Sequence, residues 1–418
     1  SVKMGIRENI DSYGLKEKIY ILQPDFSDNH ATALRDEAIS LINSAGALYA
    51  GTIFQKVREI NPATVIGAGK LQELRSRLNG LDVTILFNGE LSPSQTLNIS
   101  AALDNKKVID RTTLILEIFA RNAKSSEGKL QVELAQLQYL YPRLKGKGEA
   151  LSRLGGGIGT RGPGETKLET DRRRIRMRIS YLKERLEAMK NSRDLINARR
   201  EKEAVRRIAL VGYTNTGKST LLNFLTGANV LAEDRLFATL DPTTRKFTIE
   251  GIDFMLTDTV GFLRELPHNL ISAFHSTLES ALYCDLVLIV CDATSDFNMQ
   301  YETTLETLEK LNCRVPHLVV MNKCETIESF EDYPHDAIFI SAKQGVGIER
   351  LKKEILARFS SELVVRRLRI PYTRMSEYTR IKKYATEYDF RYLDDCVQLT
   401  VRIPQIYLKK FVTFYDEN

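Results

Sequence analysis

The stretch Gly212-Tyr213-Thr214-Asn215-Thr216-Gly217-Lys218-Ser219 constrains this chain more than any other. It reads G-x-x-x-x-G-K-S, follows the apolar run Ile208 to Val211 and precedes the helical pattern Thr220 to Leu225. Strand, glycine loop and helix form the setting in which that spacing cradles phosphate. Glycines let the backbone wrap the phosphates, so that successive N–H groups and a helix N-terminus face negative charge. Lys218 would reach the β- and γ-phosphates and Ser219 would hold Mg²⁺. A P-loop nucleotide-binding protein of α/β class, with a doubly wound, mostly parallel sheet, is expected.

Four further stretches complete the nucleotide site. Ile252 to Thr257 reads as a strand running into Asp258-Thr259-Val260-Gly261, the D-x-x-G that contacts Mg²⁺ and senses the γ-phosphate. His317 to Met321 runs into Asn322-Lys323-Cys324-Glu325, and Ile338 to Ile340 into Ser341-Ala342-Lys343. Doubly wound sheets bind ligands at the carboxyl ends of strands, where these loops fall. An acidic group accepting the guanine N1–H and amine, with the Ala342 N–H donating to O6, would select GTP. Thr220 continues the phosphate loop, and Phe237-Ala238-Thr239 precedes the D-x-x-G strand as the remaining nucleotide contact. The expected catalytic set is Lys218, Thr239, Asp258 and Gly261, with Ser219 and Thr239 on the metal.

The flanking segments divide the chain into four expected parts. Residues 1–125 alternate strand-like and helix-like runs, arguing a small α/β layer. Within it Ile66-Gly67-Ala68-Gly69-Lys70 lacks the full phosphate-loop spacing and reads as an ordinary turn before a helix. Residues 126–203 hold two apolar helical stripes, Leu130, Leu134, Leu137, Tyr141 and then Leu168, Ile175, Ile179, Leu182, Leu186, Met189, Ile196. Such stripes pair as an antiparallel hairpin, with Pro142 ending or kinking the first helix. Its tip, Lys145 to Thr166, is glycine-rich and cationic, and is either a probe for a polyanionic crevice or a linker. Residues 204–360 form the nucleotide domain, and 361–418 a small α+β appendage.

Charge is concentrated in the hairpin. From Arg143 to Arg207 there are 20 Lys/Arg against 9 Asp/Glu, a local +11 in a chain of formal charge +6. A solvated helix face is the bland reading, but a segment holding more than the whole surplus suits nucleic acid. Arg153, Gly155, Gly156, Gly157, Arg161, Arg172, Arg173, Arg174 and Arg176 are the candidate RNA contacts. No apolar leader opens the sequence, the greasiest run (Ala281 to Cys291) is too short to span a membrane, and the five cysteines show no metal or disulfide spacing. A cytoplasmic monomer is expected.

With those residues in hand, the chain resembles the HflX family, translation-associated GTPases of the Obg-HflX group. The resemblance rests on Gly128-Lys129-Leu130-Gln131-Val132-Glu133-Leu134-Ala135-Gln136-Leu137, on Gly155 to Thr166, on Phe237-Ala238-Thr239-Leu240-Asp241-Pro242-Thr243 and on Asp258 to Phe262. It implies GTP hydrolysis stimulated by the large ribosomal subunit, with the glycine tip near the peptidyl-transferase centre and stalled ribosomes split or rescued. Some members are described as acting in antibiotic resistance by displacing drugs there. The switch-I threonine on Mg²⁺ falls at Thr239, with Thr243 as competitor. The form G-x-x-N-x-G-K-S resembles GTPases that use K⁺, the alternative being that Asn215 only braces the loop. One departure stands out. The family's fourth motif ends in Asp, whereas position 325 is Glu, placing the carboxylate about 1.5 Å further out and marking a divergent member.

Overall fold

The computed structural model describes residues 16–26, 31–57, 59–153, 163–201, 205–228, 236–237, 241–250, 252–264, 283–327, 333–360, 363–385 and 387–414. For 145–153, 163–168, 192–201, 409–410 and 412 it gives the backbone alone.

The amino-terminal layer is a four-stranded parallel sheet in the order β2-β1-β3-β4, from β1 (Lys18–Asp25), β2 (Leu48–Lys56), β3 (Thr84–Phe87) and β4 (Val108–Asp110). Helices α1 (Ala31–Ser44), α2 (Ala68–Arg77), α3 (Pro93–Ala102) and α4 (Arg111–Asn122) complete it. Local sequence sets the helix starts. Ser92 and Gln95 form a capping box at α3, and Asp110 accepts the Thr113 N–H at α4. The Gly67 turn before α2 makes no side-chain cap, and Lys70 pairs with Glu73 one turn on.

Two long helices follow, α5 (Ser126–Arg153) and α6 (Pro163–Glu201). Leu134, Leu137 and Leu182 are buried between them, with Leu130, Ile175, Ile179 and Leu186 packed around. Pro142 lies inside α5, which continues past it to Arg153. Of the two expected outcomes, an end or a kink at this proline, the end does not occur. One turn earlier Tyr139 donates to Asp110, and Arg143 donates to the carbonyls of Tyr139 and Leu91, so packing holds the helix where the proline removes a bond. The tip is also shorter than the 145–166 read from composition, because both helices extend into it.

The nucleotide domain is a six-stranded sheet in the order β10-β9-β8-β5-β7-β6. It comprises β5 (Arg206–Val211), β6 (Thr243–Ile249), β7 (Ile252–Asp258), β8 (Leu286–Asp292), β9 (His317–Asn322) and β10 (Ile338–Phe339), and only β6 runs antiparallel to its neighbour. β8 is buried along nearly its whole length, as a parallel strand covered on both faces must be. β5 lies between β7 and β8, so the chain order reverses beside the end of β5, where such sheets bind ligands. A three-stranded antiparallel sheet, β11 (Leu363–Pro371), β13 (Cys396–Pro404) and β12 (Glu387–Tyr392) in that order, closes the chain around the helix Met375–Tyr384.

One apolar cluster runs from the amino-terminal layer into the nucleotide domain. It contains Ile118 and Phe119 of α4, Val132 and Ala135 of α5, and Tyr213, Leu236, Phe237, Phe262 and Leu263. The two units share a core. Among the described residues no helix is long and apolar enough to cross a membrane, and no three or more His, Cys, Asp or Glu side chains cluster as metal ligands.

Candidate nucleotide site and its clamps

The phosphate loop leaves β5 at Gly212 and enters α7 (Lys218–Thr226). Gly212 has φ +147 and Gly217 φ +88, and a Cβ at either would overlap the Val290 carbonyl or the Asn322 amide. Only glycine fits both the conformation and the space. Asn215 lies at φ +62, a left-handed geometry that asparagine tolerates, and this accounts for the residue without a K⁺ ion.

Lys218 is buried, and its Nζ donates to the carbonyls of Tyr213 (2.7 Å) and Gly212 (3.2 Å). Burial pushes its ammonium down to about 8, with Asp258 opposing. Thr214, also buried, has a hydroxyl with no hydrogen-bond partner among the described residues. An ammonium and an orphaned hydroxyl inside a glycine loop fit phosphate oxygens.

The D-x-x-G segment is pressed against this loop. A Cβ on Gly261 would sit 2.8 Å from Thr214 Cα and 3.0 Å from Lys218 Nζ, so a side chain there is excluded. Asp258 is fully buried, and Ser219 Oγ donates to its Oδ2 at 2.6 Å. A hydroxyl beside a carboxylate is hard-oxygen chemistry that fits Mg²⁺. Thr259 donates to the Leu210 carbonyl at 2.7 Å, tying the segment to β5. Phe262 points into the shared core, 1% exposed, with its N–H given to the Gly212 carbonyl and its carbonyl taken by the Thr214 N–H.

On the base side, Asn322 straps two loops together. Its Nδ2 donates to the Thr216 carbonyl (2.8 Å) and its Oδ1 accepts the Ala342 N–H (2.9 Å). The Ala342 N–H, the expected donor to guanine O6, is held here by Asn322. Lys323 Nζ bridges the Asn215 carbonyl (3.0 Å) and Asp292 Oδ2 (2.6 Å). Ser341 is buried, its hydroxyl accepting the Gln344 N–H. Glu325 is exposed on the short turn Cys324–Thr326, and Lys343 is exposed beside Ala342.

The remaining expected residues divide. Phe237 is buried at φ +59, whereas Ala238 and Thr239 lie outside the described residues. The competitor Thr243 opens β6, paired in register with Asp258. Of the candidate RNA contacts, Arg173 and Arg174 are exposed on α6. On the same helix Arg172 is half-buried and Arg176 is exposed. Both guanidiniums lie over the Tyr141 ring, 5.4 and 5.7 Å from its centroid, and Arg176 also donates to the Tyr141 hydroxyl. Cation–π contact accounts for this arrangement. Gly155, Gly156, Gly157 and Arg161 lie outside the described residues, as does the Arg153 side chain.

Sequence reasoning missed the residues that tie this site to the rest of the chain. Tyr213 donates to Glu37 of α1 and accepts the Arg264 N–H at 3.1 Å. Glu37 pairs with Arg111, which also donates to the Arg264 carbonyl (3.3 Å) and to Asn88 (3.0 Å).

Three family descriptions match this chain in succession: GTP-binding GTPase N-terminal over 33–120, GTP-binding GTPase Middle Region over 122–200, and 50S ribosome-binding GTPase over 207–323. A relative from Caldanaerobacter subterraneus subsp. tengcongensis, named GTPase HflX, is 47% identical over 83% of this chain and 82% of its own. Another of that name, from Lacrimispora saccharolytica, is 43% identical over 95% of this chain and 96% of its own. The chain belongs to the HflX family of GTPases. It is a GTP hydrolase, and it binds GTP and GDP through the P-loop domain. A solved GTP-binding protein from Sulfolobus solfataricus in complex with GDP is 28% identical, covering 82% of this chain and 98% of its own at a TM-score of 0.44.

Proposed function

We propose that this HflX-family GTPase binds the large ribosomal subunit in the cytoplasm and splits or rescues stalled ribosomes, its GTP hydrolysis being stimulated there. The observation that carries the reading is the hairpin: two long helices that bury their apolar stripes in each other and leave Arg173 and Arg174 exposed. Such a cationic surface suits ribosomal RNA, and the family description over the P-loop domain names a 50S ribosome-binding GTPase.

In this reading Lys218 exchanges its carbonyl partners for phosphate oxygens, and the Thr214 hydroxyl takes another. Ser219 and Asp258 would hold Mg²⁺, which would supply charge neutralisation at the phosphates. Water attacks the γ-phosphorus and GDP leaves with phosphate. Gly261 keeps the D-x-x-G backbone close to Lys218. Thr239 is the proposed switch-I ligand. Guanine O6 would compete with Asn322 for the Ala342 N–H, while Glu325 would take the N1–H and amine.

The test is co-sedimentation with purified large subunits in a non-hydrolysable GTP analogue and in GDP. Binding favoured by the GTP analogue and weakened by salt supports the reading. Equal and negligible sedimentation in both would end it.

A further inference from the structure

Two motifs far apart in the sequence, Gly128 to Leu137 and Phe237 to Thr243, are joined in the structure. Asp241 sits over the start of α5. Its Oδ2 accepts the N–H groups of Lys124 (2.9 Å) and Ser125 (2.8 Å), and its Oδ1 accepts the Ser125 hydroxyl. The same hydroxyl accepts the Gly128 N–H at 2.8 Å, so Ser125 caps the helix and grips Asp241 at once. A Cβ on Gly128 would overlap Asp241 Oδ1, which explains glycine in the first turn of a helix.

Upstream, the same strand-entry segment is held three more ways. The Phe237 ring packs edge-on against Phe119 at 4.5 Å, and its carbonyl accepts Asn122 Nδ2 at 2.8 Å. The Leu236 N–H donates to Ser44 Oγ at 2.9 Å. Phe237 adopts φ +59, a conformation bulky residues avoid and that surrounding contacts must impose. Every partner lies on α1, α4 or the root of α5. Phe237 and Asp241 bracket Thr239 in sequence.

We propose that Asp241 is the positioning residue through which the nucleotide-responsive segment acts on the root of the hairpin. A change in that segment on nucleotide exchange loads or releases the Lys124 and Ser125 amides, and so alters how α5 is seated. The inference rests on reading residues 237–243 as switch I. It makes the hairpin an output of the nucleotide site independently of any ribosome.

Amide hydrogen exchange on the full chain, loaded with Mg²⁺ and either GDP or a non-hydrolysable GTP analogue, tests this. In the wild type the Lys124 and Ser125 amides should exchange at rates differing by at least about fivefold between the two nucleotides. Asp241→Ala should collapse that difference while GDP affinity stays within about threefold, and Asp241→Asn should retain part of it. Gly128→Ala, which crowds the carboxylate from the helix side, should collapse it too and decides the matter if Asp241→Ala does not fold. If residues 236 and 237 exchange alike in both nucleotides, the switch-I reading fails and takes the proposal with it. If they differ while Lys124 and Ser125 do not, or if both variants keep the full difference, the coupling alone is overturned.

Discussion

The hydroxyl of Tyr213, inside the phosphate loop, donates to the carboxylate of Glu37 on helix α1 of the amino-terminal layer. Burial and that carboxylate push the phenol's pKa well up, so it remains a donor throughout the physiological range. Glu37 and Arg111 form a buried ion pair whose guanidinium also holds the Arg264 carbonyl, three residues beyond Gly261. In the amino-terminal sheet the chain order reverses beside β1, between β2 and β3. The side chains there, Asn88 and Arg111, are committed to each other and to the neighbouring domain. A place where parallel sheets often bind ligands has become a domain joint.

This joint predicts unequal losses. Tyr213→Phe leaves Glu37 and the Arg264 N–H short of one partner and should cost about 1–3 kcal/mol. Glu37→Ala leaves Arg111 buried without its counter-charge and should cost about 3–5 kcal/mol. Urea unfolding of both single variants and the double checks this. Additive costs would mean that the hydroxyl and the carboxylate do not interact.

Lys218 predicts a pH dependence. Its ammonium titrates near 8 in the free site, and a bound triphosphate would raise that value. Affinity should therefore be full below pH 8 and fall as pH rises through it, by about tenfold between pH 7 and 9. Calorimetric titration with GDP at pH 7, 8 and 9 measures it. A flat profile would show that the ammonium is not depressed.

Glu325 predicts relaxed nucleotide choice. Its carboxylate stands on an exposed turn, one methylene longer than the family pattern. GTP should still be preferred over ATP, but by less than about a thousandfold, and Glu325→Asp should widen the margin. Equal affinities for the two nucleotides would remove the guanine assignment.

Phe262 stands where Ras-type GTPases carry their water-orienting glutamine. Its ring is part of the core shared by both domains. Intrinsic hydrolysis should be slow, and the large ribosomal subunit should stimulate it at least about tenfold, some 1.4 kcal/mol of barrier. Phe262→Gln should not restore intrinsic turnover, because the side chain points into the core, and should destabilise the protein by about 3 kcal/mol or more. Single-turnover rates with and without subunits test the first claim, and the variant's rate tests the second.

How far the sequence could be read follows from how local each signal is. The phosphate loop, D-x-x-G and the apolar stripes of the hairpin depend on spacing within one element, and all were legible. At Pro142 the choice between an end and a kink stayed open, because it depends on Tyr139 and Arg143 reaching Asp110 and Leu91 in another layer. The roles of Asp241 and Gly128 were invisible for the same reason: they meet across 113 positions of chain. β4 left little trace in the sequence because a three-residue strand carries almost no periodicity.

The last prediction concerns the hairpin's charge. Arg173 and Arg174 face solvent, whereas Arg172 and Arg176 are spent on Tyr141 of the opposing helix. Phosphate contacts release counterions, so each one lost should lower the slope of log affinity against log salt by about 0.7–0.9. Reversing Arg173 and Arg174 to Glu should weaken binding to the large subunit and flatten its salt dependence without loosening the helices. Reversing Arg172 and Arg176 should also lower the hairpin's thermal stability, since it strips both cations from the Tyr141 ring. Deleting Gly155 to Gly164 removes six glycines that allow close backbone approach to folded RNA. That deletion should leave subunit binding and GTPase stimulation largely intact while abolishing clearance of stalled ribosomes. A deletion variant that clears them as the wild type does would reduce the tip to a linker and leave the exposed arginines as the hairpin's only contribution.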